Sequence, residues 1–262
     1  MYSRIIVLFV LICFVSDSNG ASVRVEILAD DDYPPYSYVD NGEVKGIYID
    51  LINEASKLLA PDYDVKIIAL PWKRALKQIE NGEKLAILPP YHHVELRPYI
   101  FPYSIPIAQE DVVVYCRKGI DFKKVFIDSI RLPEPLLLGI NSGYILLNEK
   151  YNKAVKYNNI MVVENKSTEA NVVKLTKNRI DCYINDKLSI EHGLVLLNDK
   201  ESDFNMSDYI QVDHISSQSA HIGYTNVKEY KYPYKYDFVT RMNAAIQAVN
   251  DGQVNEAEDR IY

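Results

Sequence analysis

From Val23 onward, short apolar runs alternate with segments in which apolar residues recur every three or four positions. "VRVEILA" is a β-rich run, and "DDDYPPYSYVDNGEVKG" after it is turn-prone. In "IYIDLINEASKLLA", Ile47, Leu51, Ile52, Ala55, Leu58 and Leu59 fall at helical spacing, and Pro61 ends the helix. A second strand, "DVKIIAL", leads through Pro71 to a helix, "WKRALKQIENGE", with Ala75, Leu76 and Ile79 on one face, and then to the strand "KLAILP". Strands alternating with helices predict βαβ units and a mostly parallel sheet covered on both faces.

The stretch "LPPYHHVELRPYIFPYSIPI", Leu88 to Ile107, has no helical period and precedes the apolar strand "EDVVVYCRKG". Beyond it the alternation restarts. "LLLGINSG" is a strand running into a small-residue turn, "YILLNEKYNKAV" is helical, and "IMVVE" is the next strand. "STEANVVKLTKNR" is a helix with Ser167 or Thr168 as its N-cap, and "IDCYIND" is a short strand. The last third predicts one strand in "SAHIGYTN" and two helices, "YDFVTRMNAAIQAVNDG" and "VNEAEDRIY". With Val112 to Cys116 and Ser219 to Tyr224 as crossing strands, the second α/β half becomes an insertion in the first. The expected lobes are then 21–115 plus 220–262, and 116–219. A cleft between two such lobes, at the carboxyl ends of strands, is where a ligand would sit.

The chain opens "MYSRIIVLFVLICFVSDSNGAS", in which Arg4 precedes an apolar run from Ile5 to Val15. That run is shorter than the roughly 20 residues of a membrane span, so residues 1–20 read as a cleaved secretory signal, with a retained anchor as the alternative. About 240 remaining residues suffice for one large domain or two smaller ones. The net charge is −7, no basic stripe exists, and nucleic acid is an unsuited partner. Cys116 and Cys182, which remain once Cys13 leaves with the signal, can form a disulfide or stay separate thiols. Tyrosine is abundant at 21 residues while Trp72 stands alone, a supply of flat faces and hydroxyls that suits small-molecule pockets.

His92 and His93 are adjacent, and neighbours in an extended chain point to opposite sides, so both do not reach one metal ion. No HExxH or CxxC spacing supports a zinc site. Neither a metal nor a cofactor is expected.

The phrases "YPPYSYVDNGEVKGIYIDLINEASKLL", "PWKRALKQIENGE", "ELRPYIFPYSIPI", "NRIDCYIND" and "DFVTRMNAAIQAVNDG", in this order, resemble the periplasmic solute-binding proteins of ABC uptake systems, polar amino-acid type, called family 3. The resemblance spans the mature chain. It implies a two-lobed α/β fold of type II with two crossing hinge strands, and a monomeric periplasmic protein that delivers a small carboxylate-bearing solute to a membrane permease. On it, Arg97 takes the place of the carboxylate-clamping arginine, where a guanidinium fork suits a carboxylate better than a lysine. Asp186 falls where the family places the acid for the ligand's ammonium, with Asp181 as its competitor. Tyr33, Trp72 and Tyr91 are implied as pocket walls, and Thr168 joins the implied contacts.

Two departures bear on the ligand. Many amino-acid binders carry a serine- or threonine-rich run before the arginine, whereas here Pro89, Pro90 and Tyr91 stand there, and Pro90 offers only its carbonyl. The second-lobe turn reads Asn141-Ser142-Gly143-Tyr144, whose Ser142 hydroxyl and whose Gly143 and Tyr144 N–H groups can meet an anion. A dehydratase-like enzyme on the same fold, with Glu95, Glu110 or His92 as nominal acids or bases, and a sensor that reports its ligand to a membrane receptor are the rival expectations.

Overall fold

The computed structural model describes residues 21–127, 129–199 and 204–259, the side chains of 253–259 excepted. The expected secretory signal, 1–20, lies outside the described residues.

The first lobe is built from β1 (Val23–Asp30), the hairpin strands β2 (Asp32–Tyr33), β3 (Ser37–Asp40) and β4 (Glu43–Lys45), α1 (Ile47–Lys57), β5 (Tyr63–Leu70), α2 (Trp72–Glu80), β6 (Ala86–Leu88) and β7 (Ile100–Tyr103). The chain then enters the second lobe along β8 (Ala108–Arg117). There it continues through β9 (Leu136–Asn141), α3 (Glu149–Lys156), β10 (Ile160–Asn165), α4 (Thr168–Thr176), β11 (Cys182–Asp186) and α5 (Lys187–Asn198). It leaves along β12 (Tyr209–Ala220) and ends in β13 (Gly223–Thr225) and α6 (Lys235–Asp259).

Two five-stranded sheets result, ordered β5-β1-β6-β13-β7 and β10-β9-β11-β8-β12. Each is parallel where βαβ units build it (β5-β1-β6 and β10-β9-β11) and antiparallel where the crossing chain joins, so both sheets are mixed. Residues of β1 and β6 such as Val25, Ile27, Leu28 and Ile87 are completely buried because helices cover both faces of the first sheet. One face packs α1 and α6 through Ile52, Phe238 and Met242, and the other packs α2 through Ala75 and Ile79.

Several elements differ from the sequence expectation. The turn-prone segment after β1 is a small three-stranded sheet, β2-β3-β4. It closes at Gly46, whose φ of +127° and whose Cβ position, 2.3 Å from the Tyr36 carbonyl oxygen, admit only glycine. The helix expected from Tyr144 starts only at Glu149, where Asn148 accepts from the Tyr151 N–H as N-cap. A helix, α5, follows β11 directly. The two C-terminal helices are one, α6, which runs through Gly252. The crossing strand at the second passage is long, since β12 pairs with β8 from Tyr209 to Ala220 through two irregularities.

Cys116 and Cys182 face each other across the antiparallel β8–β11 pair and form a disulfide. Among the described residues no helix is long and apolar enough to cross a membrane.

Candidate ligand site

The end of β1, the start of α2, the loop after β6 and the turn after β9 converge between the sheets on a cavity of about 30 Å³. At that size it holds about two waters and falls well below the range for ligand pockets, the lobes being packed directly against each other. Most of its wall is apolar or aromatic, with Trp72, Tyr33, Tyr91 and Tyr144 supplying rings and Pro89, Pro90, Ile145 and Leu146 completing it. Three side chains bring chemistry to this lining: Arg97, Asp30 and His93.

Arg97 is 4% exposed. Its Nη2 donates to the Gly143 carbonyl at 2.8 Å, and its guanidinium carbon lies 5.4 Å from the Trp72 ring centre. Among the described residues no acidic side chain forms an ion pair with it. Burial disfavours its charged form, and an anion entering the cavity would meet a cation that lacks a counter-charge.

Asp30, also 4% exposed, is held at the carboxyl end of β1. Its Oδ1 accepts from the Asp32 N–H at 3.0 Å, and its Oδ2 accepts from the Tyr144 hydroxyl at 2.8 Å. Burial pushes its carboxyl up to about 7, against the opposing pull of the Tyr144 hydrogen bond. His93 is held below the ordinary histidine range by burial and by the nearby Arg97 charge, and so presents a neutral ring at neutral pH. Its neighbour His92 turns away and packs on Tyr103 at 4.6 Å and His221 at 5.8 Å.

Of the residues named from the sequence, Tyr33, Trp72, Pro90, Tyr91, Arg97 and Tyr144 line this cavity. Asp186, Ser142, Gly143, Thr168 and Asp181 stand outside its lining. Asp186 caps α5 by accepting from the Ser189 N–H at 2.9 Å, and it accepts the Tyr36 hydroxyl of the other lobe at 2.8 Å. The Ser142 hydroxyl donates to Glu164 at 2.7 Å, and Gly143 contributes its carbonyl to Arg97. Thr168 is wholly buried in a network with Asn141, Tyr183, Asn185 and Ser189. Asp181 forms an ion pair with Arg117 and accepts from the Leu137 N–H, a role far from the cavity.

The lobes meet directly. Besides Arg97–Gly143, Asp30–Tyr144 and Tyr36–Asp186, the Ser189 hydroxyl donates to the Pro34 carbonyl at 2.8 Å, and Lys73 pairs with Glu164 at 2.5 Å. Behind the cavity, at the start of β8, Glu110 is 2% exposed and has no cation beside it among the described residues. It is satisfied instead by three phenols: Tyr48 and Tyr91 donate at 2.5 Å each, and Tyr33 donates to the same carboxylate.

Two lobes joined by a pair of crossing strands, with a buried cation and a buried acid in the cavity between them, define a protein of the solute-binding class. The chain belongs to the bacterial extracellular solute-binding proteins, family 3, whose sequence profile matches residues 25–261. Curated proteins gave no match. Solved structures share the fold at low identity. An arginine-binding protein mutant from T. maritima is 17% identical with a TM-score of 0.65, over 89% of this chain and 92% of that one. A structure described for glutathione import via GshT and the cystine ABC importer TcyBC of Streptococcus mutans is 15% identical with a TM-score of 0.69, over 88% and 91%. The ancestral amino-acid-binding protein AncCDT-1, a precursor of cyclohexadienyl dehydratase, is 16% identical with a TM-score of 0.65, over 90% and 94%.

Proposed function

We propose that this chain captures a small carboxylate-bearing solute, an amino acid or close analogue, in the cleft between its lobes and delivers it to an ABC-type permease. The observation that carries this reading is Arg97, a buried guanidinium without an acidic partner among the described residues, in one cavity with the buried carboxyl of Asp30. A zwitterion complements that pair: its carboxylate meets the fork of Arg97, and its ammonium meets Asp30. The arginine-binding and import roles of the structural neighbours point the same way.

In this reading residues 1–20 direct export to the periplasm, the protein acts as a monomer, and the lobes open and close by rotation about β8 and β12. A ligand that touches both lobes favours the closed form by its differential affinity for it. The test is a thermal-shift and calorimetric screen of the proteinogenic L-amino acids. At least one should raise the melting temperature, and Arg97→Ala should abolish that response. An unchanged response in the variant overturns the clamp.

A second reading, a dehydratase-like enzyme, is favoured by one observation: Asp30, with its carboxyl near 7, sets a proton-bearing acid in the cavity of Arg97. Turnover of a cyclic prephenate-like acid by the wild type, lost in Asp30→Asn, would carry that reading.

A further inference from the structure

Arg97 alone does not complete a carboxylate site. A carboxylate offers about four lone-pair positions, and a bidentate guanidinium fills two of them. Around a buried ligand the remaining positions need donors, and few side chains can serve. The Tyr33 and Tyr91 hydroxyl hydrogens both go to Glu110, and that of Tyr144 goes to Asp30. Pro89 and Pro90 bring no N–H to the wall, and the Tyr144 N–H is engaged by the Asn141 carbonyl at 3.0 Å.

Two ring nitrogens of the lining, Trp72 Nε1 and His93 Nε2, have no partner among the described residues, and of these the indole can only donate, whereas a neutral imidazole nitrogen donates in one tautomer alone. Trp72 Nε1 is buried and has no hydrogen-bond partner, although the residue is only 7% exposed. Buried indole N–H groups ordinarily find a partner, and leaving one unpaired costs free energy. Trp72 opens α2 on the cavity wall, and the Cδ1 atom next to this nitrogen lies on the Gly143 side, where Arg97 also makes its bond. The unpartnered N–H and the unpaired guanidinium therefore belong to the same corner of the site.

We propose that Trp72 donates its Nε1–H to the ligand's carboxylate beside Arg97, replacing the backbone donors that Pro89 and Pro90 cannot supply, and that the pair selects free carboxylates over their amides. This rests on the amino-acid-binding reading above. Trp72 thereby acts as a specificity-determining residue as well as a wall.

The test compares binding of the proteinogenic L-amino acids and their α-carboxamides by calorimetry, in the wild type, in Trp72→Phe and in Trp72→benzothienylalanine, which keeps the indole outline and lacks the N–H. The wild type should prefer the free acid, and both variants should lower the acid-to-amide ratio by about ten- to a hundred-fold, the worth of a hydrogen bond to a charged acceptor. Since Trp72 is the only tryptophan, its emission should also shift with the acid and not with the amide. A ratio unchanged in the benzothienyl variant, or equal losses for acid and amide, would overturn the proposal while leaving the amino-acid reading intact. If no amino acid binds the wild type, that reading falls and this proposal falls with it.

Discussion

Tyr144, on the turn after β9, donates its hydroxyl hydrogen to Asp30 Oδ2 at 2.8 Å and so joins the second lobe to the acid of the first. A phenol in this place competes with a ligand's ammonium for the same oxygen. Tyr144→Phe keeps the ring contacts with Tyr33 at 5.6 Å and Trp72 at 6.1 Å and removes the competitor. The affinity for the best amino-acid ligand should rise by about three- to ten-fold, since a neutral donor to a carboxylate contributes a net ~1 kcal/mol or somewhat more. Calorimetry on the two proteins decides it, and weaker binding by the variant would mean that the hydroxyl serves the ligand.

Glu110 predicts an unusual pH dependence of stability. Burial, with the Asp186 charge adding to it, lifts its carboxyl from 4.5 to about 7, and the bonds from Tyr33, Tyr48 and Tyr91 offset only part of this. Between pH 4.5 and about 7 the folded chain holds a proton that the unfolded chain has released, so stability falls as pH rises through that window. Asp30, lifted from 3.8 to about 7, acts in the same direction. At 1.36 kcal/mol per pKa unit the Glu110 share is about 3 kcal/mol. Urea midpoints should therefore drop between about pH 5 and about pH 7.5, and drop less in Glu110→Gln. Parallel drops in the two proteins would remove Glu110 from the account.

Local pattern made most of the framework legible. Strands such as β1, β5 and β9 and helices α1, α2 and α4 stand where apolar periodicity and the Ser167 cap put them. What failed was long-range or masked. The polar sequence of β12 carries no strand pattern, because that strand exists by pairing with β8. α5 did carry a signal, with Asp186 as N-cap and Ile190, Leu194 and Leu197 on one buried face, but Gly193 in its middle obscures it. Gly193 packs its backbone against Val172 of α4, which explains why a residue without a side chain is used there. In the site, Arg97 and the aromatic walls were readable. Asp30 was not, since nothing in "DDD" says which of three aspartates is buried. Only the end of β1 selects Asp30, at 4% exposure, over its neighbours.

The Cys116–Cys182 bridge should stabilise the fold without touching the ligand. It spans a sequence separation of 66, for which the chain-entropy relation gives about 4 kcal/mol. It sits at the start of β11, about 13 Å of extended strand from Asp186 at its other end. Reduction, or Cys116→Ala with Cys182→Ala, should lower the unfolding free energy by about 2–4 kcal/mol and leave ligand affinity within about two-fold. A large loss of affinity in the folded double variant would contradict the separation of the two roles.

Asp30 and Asp186 are the two buried acids that could read an ammonium, and their surroundings assign them different work. Asp186 is already occupied by groups of the protein, the Ser189 N–H, the Tyr36 hydroxyl of the other lobe and the backbone of Asp111 and Leu188, whereas Asp30 lines the cavity with Arg97. The discriminating measurement is the ratio of affinities for an amino acid and for its deaminated analogue. Asp30→Asn should collapse that ratio by about ten-fold or more, because an amide oxygen does not replace a carboxylate opposite an ammonium. Asp186→Ala should leave the ratio unchanged and lower stability by about 1–2 kcal/mol through the lost cap and the lost bond to Tyr36. The carboxyl of Asp30, near 7, must give up its proton to receive an ammonium, so amino-acid affinity of the wild type should weaken as pH falls below about 7. That dependence should flatten in Asp30→Asn. If Asp186→Ala collapses the ratio instead, the ammonium is read across the cleft, and the cavity beside Arg97 holds only the other end of the ligand.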